Sequence, residues 1–304
     1  PFPASSQVVV TPIVINLDDD NDDGRIDERD IPEIVFMTFC GTVGGSARFQ
    51  QHGILRAVHG GGPDRGADYF ATCDDTRWFE GDDPGSVSCS CTDGDLDPTS
   101  TLAAGDLDGD GVPEIVVAGE GNAIRSFDNR GRPLAESSGG QLAGDNQALV
   151  LTNVDGRGNA EIISGRRVFQ VLKDPMDGSW SFGDRWLGTP SLSTGRNGQG
   201  PISCVADLTG DGLQDVVAGT TLYRFPANPA GFERQSECSG SETGDQGSWC
   251  RGELPVEWNA DDVNAASITE NGFCAVADVW GADDAARPGP GNPLDRVPEV
   301  VVIN

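Results

Sequence analysis

One pattern constrains this chain more than any other. A short apolar stretch runs into an acidic, glycine-containing loop, and the loop closes on an acid followed at once by a β-branched run. The clearest copy is Leu102-Ala103-Ala104-Gly105-Asp106-Leu107-Asp108-Gly109-Asp110-Gly111-Val112-Pro113-Glu114-Ile115-Val116-Val117. Further copies are Asn16 to Phe36 with a longer loop, Asn153 to Ile163, Asp207 to Val217, and Asp278 to Val302 with an insertion. The closing acid is a fixed point in each: Glu33, Glu114, Glu161, Asp215 and Glu299.

From Glu114 to Glu161, and from Glu161 to Asp215, the spacing is close to the roughly 40 to 50 residues of a four-stranded propeller blade. The remaining strands can be read behind each loop. Ala123-Ile124-Arg125-Ser126-Phe127 alternates, Asp128-Asn129-Arg130-Gly131 supplies turn chemistry, and Arg132-Pro133-Leu134 resumes, which spells a hairpin. Gly53 to Val58, Arg167 to Leu172 and Thr221 to Phe225 are the matching pieces of other units. No segment carries a sustained 3.6-residue apolar period. The expected fold is therefore all-β, a β-propeller of which four blades and the first two strands of a fifth are visible, spanning 1–304 as a single domain. An open ring leaves unpaired edges and an unburied end face, so further blades or a partner chain are expected to close it.

Cysteine-rich insertions at about 40–100 and 228–271 interrupt the repeat. Cys40, Cys73, Cys89 and Cys91 fall in the first third of the chain, and Cys204, Cys238, Cys250 and Cys274 in the last. An even number in two local sets reads as two pairs of disulfides in an oxidising compartment. Four cysteines allow three connectivities, and a zinc site built on Cys89-Ser90-Cys91 is the alternative for the first set. Cys238 with Cys250 would close the second insertion, while Cys204 and Cys274 precede the loop acids Asp207 and Asp278 and so belong to innermost strands of adjacent blades.

Each loop position has a physical reason. Alternating carboxylates converge on one point, the glycine allows the sharp turn, a main-chain carbonyl fills a further position, and the last acid completes a shell of hard oxygen donors suited to Ca²⁺. Asp106, Asp108, Asp110 and Glu114 fit throughout. Read from Asp19, the first loop places Asp19, Asn21, Asp23, Asp27 and Asp30 at the EF-hand spacing without the helices. A competing register uses Asn16, Asp18, Asp20 and Glu33. The fourth loop offers Asp207, Thr209, Asp211 and Asp215, a weaker set because a hydroxyl replaces one carboxylate. In the third loop Arg157 stands where a ligand is needed and can neutralise Asp155 and Glu161 in place of a metal. The fifth offers Asp278, Asp283 and Asp295. Two to three Ca²⁺ sites are expected, and up to five. A solvated turn is the bland reading of any one loop, and it is their repetition that favours metal.

Loop and strand together resemble the FG-GAP/VCBS repeat of integrin-α-type propellers, with Gly105 to Gly119 the nearest copy. The resemblance implies a propeller, usually seven-bladed, with Ca²⁺ between the first two strands of a blade, in a secreted or cell-surface adhesion or recognition module. Arg157 and the insertion after Asp278 depart from the pattern.

A formal charge of -29 excludes nucleic acid and anionic membrane surfaces as partners, since phosphate binding needs clustered Lys and Arg. No window approaches the roughly 18 to 20 apolar residues of a membrane span. Enzymatic constellations are scarce. His52 and His59 are the only imidazoles and fit surface or strand-end roles, while a lyase would need Tyr69, or His52 with Arg56. Six Trp either stack on sugars or fill small cores under the loops, the second being favoured. The sequence is thus read as a non-enzymatic, extracellular, calcium-stabilised module that presents inserted loops to a protein or glycan; the alternative is a secreted carbohydrate-active enzyme, a polysaccharide lyase or hydrolase.

Overall fold

A computed structural model describes residues 5–43, 46–47, 52–81, 89–137, 142, 147–187 apart from 155, 157 and 166, 203–208, 212–218, 221–224, 250–251, 273–277 and 299–303. Strands β1 (Ile13–Ile15) and β2 (Glu33–Thr38) flank the first acidic loop. A small hairpin, β3 (Thr42–Val43) and β4 (Ser46–Ala47), precedes β5 (Ile54–His59), β6 (Asp68–Asp74) and β7 (Arg77–Glu80), which complete a five-stranded sheet in the order β1-β2-β5-β6-β7. The second sheet contains β8 (Ala103–Gly105), β9 (Glu114–Gly119), β10 (Ala123–Phe127) and β11 (Pro133–Glu136), again in chain order.

A third sheet is formed by β12 (Val150–Thr152), β13 (Glu161–Ser164), β14 (Arg167–Lys173) and β15 (Trp180–Leu187), and a fourth by β16 (Ser203–Ala206), β17 (Asp215–Ala218), β18 (Thr221–Arg224) and β19 (Cys250–Arg251). β20 (Phe273–Ala277) pairs with β21 (Glu299–Ile303). Every strand pairing whose register is resolved is antiparallel. The fold is all-β, a series of four- and five-stranded antiparallel sheets. The chain divides into two compact units, one of residues 1–151 and 170–183, the other of 152–169 and 184–304. Among the described residues no helix is long and apolar enough to cross a membrane.

The β-branched runs after Glu114 and Glu161 are buried from end to end, whereas in β2 Ile34 and Phe36 are half-buried. All of Glu114–Gly119 and Glu161–Ser164 is buried, which is why these runs do not alternate: both faces are covered. In the first unit one apolar cluster joins two sheets. Leu17, Val35, Met37, Leu55, Ala57 and Phe70 come from the first, Leu102, Ile115, Val117 and Phe127 from the second, with Leu96 among them. Leu96 also bridges backbone to backbone, to Gly53 on one side and Gly119 on the other. The β10–β11 turn docks on the first sheet too, where Asn129 Nδ2 donates to Leu17 O at 2.7 Å. Only glycine fits the tip. Gly131 has φ of +77°, and a Cβ there would lie 2.4 Å from Phe70.

Cys40 bonds Cys91 and Cys73 bonds Cys89. These pairings settle the connectivity of the first set and rule out the zinc alternative at Cys89 and Cys91, whose sulfurs are consumed. Cys73 sits in a second small core with Ile54, Ala71 and Phe79, against which Cys89 packs. Cys204 in β16 is also disulfide-bonded. Cys238, and with it the expected bond to Cys250, lies outside the described residues, as does the insertion at 228–249 and 252–271. Disulfides fit a secreted or surface-exposed protein.

Candidate metal centre

Two hydrogen bonds recur in the loops and show how the sequence shapes them. In the first, the closing acid accepts the N–H of the residue after the loop's opening position: Glu33 from Leu17 at 2.9 Å, Glu114 from Leu107 at 2.7 Å, Glu161 from Val154 at 3.1 Å and Asp215 from Leu208 at 2.9 Å. All four acids are buried. The closing acid therefore has a structural task before any ligand is considered, since it satisfies a backbone donor drawn into the core. In the second, the opening Asp accepts the N–H of a glycine five residues on: Asp19 from Gly24 at 2.6 Å, Asp106 from Gly111 and Asp207 from Gly212, both at 2.9 Å. Those glycines have φ of +85°, +87° and +84°, the left-handed region that a Cβ opposes.

In the second and fourth loops both bonds start from one residue, Asp106 or Asp207. In the first loop they do not. Glu33 is tied to Leu17, which makes Asn16 the opening residue, whereas the glycine bond makes it Asp19. Both registers read from the sequence are present at once, three residues apart, and this is the physical content of the longer loop.

Asp106, Asp108 and Glu114 each offer an oxygen, and the three lie within 4.8 Å of one another. Asp110 stands at the rim, its Oδ1 accepting Val112 N–H at 2.8 Å. Burial pushes the Glu114 carboxyl up to about 8, against the bond from Leu107, and Asp108, Asp110 and Asp106 raise it further. A cation relieves that arrangement, and a protein cation is already drawn to it: Lys173 Nζ contacts Asp108 and lies 4.0 Å from Asp110 Oδ2. The donor set is all oxygen. It fits a hard divalent ion.

The first loop's predicted ligands are arranged differently. Asn21 Nδ2 donates to Asp30 Oδ1 at 2.5 Å, Asp30 Oδ2 accepts Asp27 N–H, and Asp19 is engaged by the turn amides of Asp23 and Gly24. Arg29 reaches Asp23 at 3.1 Å and Asp27 at 2.8 Å. The metal-capable group of this loop is instead Asp18, Glu33 and His59, whose ligand atoms lie within 4.8 Å of one another. In the fourth loop Asp207 and Asp215 are held by the two recurrent bonds, while Thr209 and Asp211 lie outside the described residues, as do Asp155, Arg157 and Asp278.

His59 and Lys173 were missed as site residues. Each comes from a strand remote from its loop: His59 ends β5 and is brought there by the pairing of β5 with β2, whereas Lys173 ends β14, a strand of another sheet. The register Glu33↔His59 is the signal. His52 is not with Arg56: its Nδ1 lies 2.9 Å from Gly94 O, and Arg56 pairs with Asp68 and lies over Phe36. Tyr69 meets His59 edge-on at 5.2 Å between ring centroids. Trp78 lies under Arg132 and Trp180 under Lys173, at 5.0 and 4.9 Å from their ring centroids.

No protein-family model matches the chain, and no curated protein sequence does. Solved structures do. The Vibrio cholerae biofilm matrix protein Bap1 is 28% identical, with 73% of this chain and 30% of that one covered at a TM-score of 0.47. The exotype rhamnogalacturonan lyase YesX is 14% identical over 70% of this chain and 39% of that one, TM-score 0.40. Rhamnogalacturonan lyase YesW is 14% identical over 70% and 40%, TM-score 0.37. The chain spans less than half the length of each. The likeness is loose, that of an all-β scaffold. One expectation is corrected by these matches. The sequence favours a non-enzymatic module with a carbohydrate-active enzyme as the alternative, whereas three of the similar structures are rhamnogalacturonan lyases, so a non-enzymatic role is not asserted of this chain.

Proposed function

We propose that the chain is the calcium-stabilised, propeller-type scaffold of an extracellular protein, presenting its inserted loops to a glycan or protein surface. The observation that carries this reading is the convergence of Asp106, Asp108 and Glu114 in a loop whose geometry recurs along the chain. Asp106, Asp108, Asp110 and Glu114 would hold one Ca²⁺; Asp207, Thr209, Asp211 and Asp215 would hold another. The set Asp19, Asn21, Asp23, Asp27 and Asp30 would hold a third once Arg29 swings away. Calcium supplies the positive charge that lets buried carboxylates stay ionised, and the chain's own residues do the rest: they close the loops and fix the sheets. The -29 charge supports cations as partners.

The test is melting of the full chain with Ca²⁺ and with excess chelator. At a hundredfold excess over Kd, Ca²⁺ should add about 2.7 kcal/mol per site, or several degrees. Asp108→Asn should remove part of that shift and Lys173→Met should leave it intact. Identical curves with and without chelator would end the calcium reading.

A second reading, a carbohydrate-active enzyme, has one observation in its favour. The imidazole of His59 and the phenol of Tyr69 meet beside the carboxylates of Asp18 and Glu33, with Arg130 among the charges acting on Asp18. Base, acid and charge-neutralising groups are the parts that elimination from an acidic sugar needs. Acidic polysaccharides should then yield unsaturated products at a rate that Tyr69→Phe lowers by about 10²-fold or more. No turnover by the unaltered chain, or full activity in Tyr69→Phe, would count against this assignment.

A further inference from the structure

We propose that Asp18, Glu33 and His59 form a metal site of a different kind, one that takes a first-row transition ion such as Zn²⁺ rather than Ca²⁺. The inference uses none of the ligands of the three calcium sites proposed above, although Asp18 and Glu33 belong to the first loop's competing register. His59 enters from β5 because Glu33 and His59 are paired in register across β2 and β5, which sets both side chains at one end of the sheet. Its Nδ1 lies 3.5 Å from Glu33 Oε1, longer than a hydrogen bond. Two donors about 2.1 Å from one tetrahedral ion lie roughly 3.4 Å apart, so the observed separation is that of a coordination edge. The third donor is Asp18, whose Oδ1 is buried and has no hydrogen-bond partner. Asn16 Oδ1, in the same loop, is likewise buried and unbonded.

The surroundings orient these donors. Glu33 is 1% exposed and its other oxygen is fixed by Leu17 N–H, leaving Oε1 turned to the imidazole. Tyr69 packs its ring at 74° to that of His59, which limits how the imidazole can turn. A neutral imidazole with its proton on Nε2 presents the Nδ1 lone pair to Asp18 and Glu33. One nitrogen with two carboxylates suits zinc and its neighbours in the first row, whereas Ca²⁺ draws its ligands from oxygen. Arg130 acts against cation binding here through its charge near Asp18.

The test uses the full chain, stripped with chelator, and Zn²⁺ itself as the probe, followed by calorimetry, with Co²⁺ absorption as a second readout. The expected result is a Zn²⁺ site that excess Ca²⁺ does not displace. His59→Gln should weaken it at least ~10-fold, since losing a ligand costs no less than losing a group that orients one. Asp18→Asn, which keeps shape, should weaken it as well. His52→Gln should change nothing. The far-ultraviolet circular dichroism and the melting temperature of metal-free His59→Gln should match those of the unaltered chain, which shows that the variant is folded. Zn²⁺ affinity unchanged by both His59→Gln and Asp18→Asn, absence of Zn²⁺ binding, or displacement by Ca²⁺ would overturn the proposal.

Discussion

Opening the Cys40–Cys91 bond is expected to cost the chain about 4 kcal/mol of stability, from the loop entropy returned to the unfolded state. The bond closes a separation of 51 residues, against 16 for Cys73–Cys89, whose loss should cost about 3 kcal/mol on the same account. The shorter loop lies inside the longer one, so the two effects should not add in full. Against a total stability of roughly 5 to 15 kcal/mol, loss of both leaves a chain close to unfolding. Urea midpoints of the paired Cys→Ala variants would measure this. A larger loss from the short loop than from the long one would show that packing of the buried Cys73, and not loop entropy, dominates.

Arg125→Met should be almost as damaging. The guanidinium is 10% exposed and draws together three carboxylates: Asp75 at 3.1 Å, Asp95 at 2.5 Å and Glu136 at 3.1 Å. Removing one partner of a buried ion pair leaves uncompensated charge, typically a loss of 3 to 5 kcal/mol, with the lower end apt here because Asp75 and Glu136 reach solvent. The loss should depend on pH. Burial pushes the Asp95 carboxyl up to about 6 although the charge and hydrogen bond of Arg125 oppose it. An acid whose folded pKa is raised holds a proton that the unfolded chain, at 3.8, has released. Its contribution is complete below about pH 4 and is lost as pH rises through about 6. Without Arg125 the folded value climbs further, so the deficit of the variant should be larger at pH 8 than at pH 5 in chemical unfolding. An equal or reversed ranking would show that Arg125 acts by packing and not by charge.

How much of this was legible beforehand follows from how far apart in sequence the interacting groups lie. The acidic loops are local objects. Asp106 and Gly111, or Asp207 and Gly212, are five positions apart, and the short polar side chain and left-handed glycine that close such a loop must be written side by side. The all-β character is local in the same sense, because a β-branched run without a helical period can only pair as a strand. Even the two registers of the first loop were readable, although nothing in the residues says that both are used.

The amino-acid sequence alone therefore determined the strands, the loops between them and the residue types that can grip a cation. The tertiary structure decided which of those residues meet. Pairing of β2 with β5 carried His59 to Glu33; packing set Lys173 on Asp108 and Arg125 among three carboxylates; chain reversal chose Cys91 for Cys40. Those contacts join positions that no local rule couples. They arise because sheets must bury their apolar faces together, and the charges that ride on the sheets are brought into register as a consequence.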